Sequence, residues 1–262
     1  MLLKALKDLP TAVNTIRAGD LFHEINEERA NEWIVTGYAE IYRYPPNEPK
    51  PVTADLAWEG ATVVILASGE SLSLEQCAMV KVWQDNPFHR VIAINTTFRL
   101  APWADLLYAC DGKWWNALDP ATNLKYAEEA AQHFNKENMW TQDKEAADLY
   151  GLRYIKSLRK QGLSKVKGVI HQGANSGFQA INLAYLAGAR RFILLGFDCK
   201  GSHWHGNHPA PINTGMPHGT WKKEFQILAA DLEKEKVEVV NCSPGTALRA
   251  FRLGDLGEEL LK

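Results

Sequence analysis

From residue 60 onward, short apolar runs alternate with longer stretches of helical pattern. No other feature of the chain restricts its fold as much. Residues 62–67, 91–95, 106–110, 168–171, 192–196 and 237–241 have the length and apolarity of strands buried on both faces. The clearest helical stretch is 220–236, where Trp221, Phe225, Leu228 and Leu232 recur at intervals of four, three and four. Lys222, Lys223, Asp231 and Glu233 take its opposite face. Strands that alternate with helices predict an α/β protein, with an open, mostly parallel sheet flanked by helices. Residues 112–167 are less regular, with helices expected near 123–135 and 143–150 in an excursion over the active face.

Residues 1–44 read as a separate small N-terminal module. Asn26 is placed to cap a helix over 27–36, with Ala30, Trp33 and Ile34 on one face and Gly37 as its stop. Four prolines in the eight positions 44–51 mark an extended linker, taken as 45–58, which leaves 59–262 as the main domain. The first segment resembles a small module of bacteriophage proteins through Ala18-Gly19-Asp20, Glu27-Glu28-Arg29-Ala30, Trp33-Ile34 and Gly37-Tyr38-Ala39. The resemblance implies a viral or prophage source; an appendage of no distinct origin is the plain alternative.

Composition removes several classes. A formal net charge of −2 argues against a protein whose main task is to hold nucleic acid non-specifically. The 4 cysteines are scattered without a C-x-x-C pair, so neither a zinc ribbon nor a disulfide scaffold is expected. No apolar run approaches the ~20 residues that cross a membrane, and the first ten residues do not form a signal peptide. A cytoplasmic location is therefore expected, in the host cytoplasm or a virion if the source is a phage.

In an open parallel sheet, ligands collect at the carboxyl ends of strands. Small or polar residues stand there repeatedly: Ser68, Gly69, Glu70 and Ser71; Asn95; Asp111; Asn175, Ser176 and Gly177; and Asp198. Turn and capping chemistry alone accounts for some of these, Asn175 or Ser176 as a helix N-cap above all. The same amides and hydroxyls also suit a phosphate or carboxylate. Trp114 and Trp115 are read as a stacking surface for a base or sugar, with at least one of the pair in the core.

His203, His205 and His208 form the densest histidine cluster. With Asp198 they could hold zinc or manganese, but a spacing of two and three on a loop matches no recognised closed zinc site. No metal site is assigned, and His203 and His205 are read as substrate-loop residues. An uninvolved exposed loop stands as the alternative.

Taken in order, Gly69-Glu70-Ser71-Leu72, Asn95, Asp111, the block 175–184 and the block 188–198 resemble a Rossmann-like group. Its members include the bacterial lipooligosaccharide sialyltransferases and the MptE-like 6-hydroxymethylpterin diphosphokinases. The resemblance implies that Ser68, Gly69 and Ser71 approach a nucleotide phosphate. It places Asn95 and Asp111 on the sugar or base, and Ser176 on the donor's charged group. It also implies that His218 deprotonates the acceptor hydroxyl. The chain departs from the pattern at Glu70, which replaces a proline, and at Ala67 and Ser68, where Gly and Asn are usual.

The expected function is therefore that of a transferase using a nucleotide or nucleotide-sugar donor, sialyltransferase-like, with the acceptor unassigned and no cofactor required. One alternative is a diphosphokinase using Mg2+ held by Asp111 or Asp198. Another is a non-enzymatic phage binding or virion protein. Association into a homo-oligomer or a phage particle is left open.

Overall fold

The computed structural model describes residues 56–206, 208, 212 and 217–262, with 2–10, 15–16, 18, 21–23, 27–36 and 38–41 of the N-terminal segment. In that segment β1 (Leu2–Ala5) is the centre of a small antiparallel sheet. A short antiparallel pair follows, β2 (Leu9–Pro10) with β3 (Thr15–Ile16). β4 (Leu21–His23) pairs one edge of β1, and β5 (Ala39–Ile41), which comes after α1 (Glu27–Val35), pairs the other. Asn26, Gly37 and most of the proline-rich linker lie outside the described residues.

The main domain is an α/β unit built on eight parallel strands. β6 (Thr62–Leu66), β7 (His89–Ile94), β8 (Leu106–Tyr108), β9 (Met139–Thr141) and β10 (Arg153–Tyr154) are laid down successively toward one edge. The chain then leaves the sheet for a separate parallel pair, β11 (Lys156–Leu158) with β12 (Val169–His171). It returns to the free side of β6 as β13 (Arg191–Leu195) and continues outward through β14 (Glu238–Asn241) and β15 (Arg252–Leu253). The order is β10-β9-β8-β7-β6-β13-β14-β15, so the winding reverses between β6 and β13.

Both faces of the sheet are covered, which is why its central strands read as unbroken apolar runs. Val63 and Ile65 of β6 face the core under α6 (Ser176–Leu186) and α7 (His218–Lys234). Val64 and Leu66 face the opposite core, under α2 (Leu74–Trp83) and α8 (Leu256–Leu260). Among the described residues no helix is long and apolar enough to cross a membrane.

Three expectations change. Residues 169–171 do not join the main sheet; they pair with β11 beside α6. The sheet's fourth and fifth strands instead come from the stretch expected to be an excursion. With three and two residues, β9 and β10 are too short to show a period. The helix expected over 123–135 contracts to α4 (Tyr126–Ala130), between α3 (Gly112–Asn116) and α5 (Lys144–Tyr150).

Charge closes the β13–β15 edge. Glu259, 1% exposed, accepts from Arg252, Arg191 and Lys262, each at 2.8 Å. Glu238 bridges the same two arginines from β14. The Arg252 guanidinium holds the Glu259 carboxyl down to about 2, from 4.5. Its stabilising effect is complete above pH 4.5 and is lost as pH falls toward about 2, because the unfolded chain takes up the proton first. A Glu259→Gln variant should lose about 2 kcal/mol at neutral pH. It should also show a shallower fall in stability below pH 4.5; denaturant titrations at several pH values giving parallel acid limbs would refute this.

Candidate functional site

The tips of β6 and β13 meet where the strand order reverses. Gly69 N–H donates to the Gly196 carbonyl at 3.0 Å. A side chain at Gly69 would sit 2.4 Å from that oxygen and 2.6 Å from the Asp198 carboxylate, so the close approach requires glycine. Asp198, buried, accepts from Ser71 N at 2.9 Å and from Ser71 Oγ at 2.5 Å. Ser68 Oγ lies 3.3 Å from the Ile94 carbonyl and 3.0 Å from Thr97 Oγ1, tying the turn to the end of β7.

Opposite this turn stands the N-terminus of α6. Asn175 caps it, its side chain accepting from Phe178 N at 2.9 Å. Ser176 Oγ donates to Asn95 Oδ1 at 3.3 Å and accepts from Cys110 N at 3.1 Å, so one hydroxyl joins α6 to the ends of β7 and β8. Asn95 holds a left-handed backbone, φ 49°, which asparagine tolerates better than most residues.

Between these elements lies an open cleft of about 600 Å³, its solvent mouth included. Nine of the residues singled out in the sequence line it: Ser68, Gly69, Asn95, Asn175, Ser176, Gly177, Asp198, His203 and His218. Ser71 does not; it is turned under the rim to hold Asp198. Asp111 is also outside the lining, exposed, and caps α3 by accepting from Lys113 N at 2.9 Å. His205 stands in the adjoining loop. Trp114 and Trp115 are both core residues, buried with their indole N–H groups bonded to Thr96 and Ala109, so neither offers a stacking face.

The lining residues that were not anticipated include Lys200 and Trp221. Lys200, exposed, follows Asp198 by two positions, and its ammonium lies beside Gly245. Trp221 lies three residues after His218 on α7, its ring edge-on to that imidazole with centroids 5.3 Å apart. That i, i+3 spacing was the available signal. Glu70 leaves the cleft altogether: it is exposed and accepts from Ser202 N at 2.9 Å. Burial pushes the Cys110 and Cys199 thiols up to about 11, which removes a thiolate nucleophile at neutral pH.

The histidine loop is clamped onto the β6 turn. Trp204 N donates to the Ser68 carbonyl at 3.0 Å, Trp204 Nε1 lies 3.3 Å from Thr97 Oγ1, and His203 forms a β-bridge with Gly69. The His203, His205 and His208 rings are mutually close, with centroids 5.0, 4.7 and 4.8 Å apart. Burial lowers all three, His205 to about 3 and His208 to about 4, so each imidazole is neutral at pH 7.

The chain matches no protein-family model and no curated protein. Its chemistry is therefore read from the cleft alone. A helix N-terminus and a lysine favour an anion, polar side chains converge on it, and an imidazole stands at the mouth.

Proposed function

We propose that the cleft binds a nucleotide-activated donor and that the protein transfers the donor's group to an acceptor hydroxyl, in the manner of a sialyltransferase-like glycosyltransferase. The supporting observation is the meeting of the β6 turn, Asn95, the α6 N-terminus and His218 around one cleft at the reversal of strand order. The motif resemblance of residues 60–252 to the sialyltransferase group agrees with it. His218 takes the acceptor proton as the acceptor oxygen bonds to the donor's anomeric carbon. The bond from that carbon to the phosphate oxygen breaks, and its electron pair stays on the nucleotide. The α6 amides and Lys200 stabilise the leaving phosphate.

The diphosphokinase alternative needs a carboxylate free for Mg2+. Asp198 is committed to Ser71, and Asp111 caps α3 away from the cleft lining. A phage-particle role has no geometric feature of its own among the described residues.

The test is calorimetry with CMP, UDP and GDP compounds. Binding to one of them, weakened about tenfold or more by Lys200→Ala, is the expected result. Absence of binding across the set removes the proposal, and an unaffected Lys200→Ala variant removes the phosphate assignment.

A further inference from the structure

We propose that His203, His205 and His208 form a binding site for one divalent transition-metal ion of the zinc class, beside the cleft and independent of the transferase reading. Three observations converge. The three residues present one ligand atom each, and these atoms lie within 4.8 Å of one another. His203 Nδ1, His205 Nε2 and His208 Nδ1 are each buried without a hydrogen-bond partner among the described residues. The loop that carries them is fastened at Trp204 and at the Gly69 bridge, so the cluster is held in place by the fold.

A buried ring nitrogen without a partner is costly, and three of them on rings packed this closely compound the cost. Hydrogen bonds among the three rings cannot satisfy every one of these nitrogens, because each N–H···N contact uses two. A single cation with an imidazole preference satisfies all three together. Zinc–nitrogen bonds of about 2.0–2.1 Å would draw the ligand atoms inward by less than about 1 Å each. Gly206, with φ 79° and open space on its Cα, lies between His205 and His208 and allows that adjustment. Asp198 is not part of the cluster, and each of its oxygens accepts from Ser71. Three histidines leave a fourth position for water or an anionic oxygen. His203 also lines the cleft, so that position adjoins the nucleotide site.

The experiment uses the untagged full chain, stripped with chelator and free of nucleotide. Zinc is titrated against a chromophoric chelator, and Co2+ is used as a visible-absorption probe of coordination. One Zn2+ per chain, a tetrahedral Co2+ spectrum and a rise in melting temperature with zinc are expected. Zinc binding and its thermal shift should be lost in His205→Ala and in His208→Ala but kept in His133→Ala, whose histidine is exposed and outside the cluster. Circular dichroism establishes that each variant is folded. Should the cluster variants fail to fold, histidine carbethoxylation of the wild-type chain decides. Zinc should protect His203, His205 and His208 and leave His133 reactive. No zinc uptake by the wild type, undiminished uptake by folded cluster variants, or equal protection of His133 overturns the site. None of these readouts depends on a nucleotide, so a failed nucleotide screen and a failed metal site are separate results.

Discussion

Alanine at position 69 is expected to cost about 3 kcal/mol of folding stability and to weaken any ligand held in the cleft. The added methyl would overlap the Gly196 carbonyl oxygen at 2.4 Å and the Asp198 carboxyl carbon at 2.6 Å. Neither can retreat easily. Gly196 continues the ladder from the central strand β13, and Asp198 is buried and fastened to Ser71. Relief must come from parting the β6 and β13 tips, which breaks the Gly69–Gly196 hydrogen bond and loosens the Ser71–Asp198 pair. Gly219→Ala is the internal control: a methyl added there would meet nothing within 4 Å, and the position lies in α7. Alanine there should hold stability or raise it by up to about 1 kcal/mol, following helix propensity. Urea unfolding of both variants measures the contrast. A Gly69→Ala protein as stable as the wild type would show that the turn yields freely.

The second large effect is chemical. Once a donor is identified, His218→Ala should slow transfer by about 10²–10⁴-fold, the span a positioned general base contributes. Nucleotide affinity should change by no more than about threefold, because the phosphate is assigned to α6 and Lys200 and not to the imidazole. His218 opens α7, is half-buried, and is braced by the Trp221 ring, so its loss removes no core contact on which the fold depends. Single-turnover measurement with saturating donor separates the chemical step from binding. Transfer that persists at the wild-type rate would take His218 out of the reaction. A loss confined to donor affinity would make it a binding residue.

The parts legible in the sequence share a physical cause. Strands β6, β7, β8, β13 and β14 carry apolar residues on both faces because helices cover both faces, so each appears as a short apolar run. Asn175 as a cap and the amphipathic stripe of α7 are likewise local patterns. The rest depended on distant partners. β9 is a strand only because β8 offers it an edge to pair with, and β10 only because β9 does. Trp114 and Trp115 have the character of stacking surfaces in the sequence, but Thr96 and Ala109 take their N–H groups and hold both rings in the core. Asp111 and Asp198, alike as carboxylates after strands, diverge completely, one capping a short helix and the other binding Ser71 across the sheet's midline.

By itself, the order of residues determined an alternating α/β chain with polar strand ends, because burial and turn geometry act over a few neighbouring positions. Only the tertiary structure decided that β13 returns to the free side of β6, and with that the place of the cleft, the removal of Glu70 from it and the gathering of three histidines beside it. Pairing between strands more than a hundred residues apart sets these features, and its free energy resides in contacts that no local stretch of the chain contains.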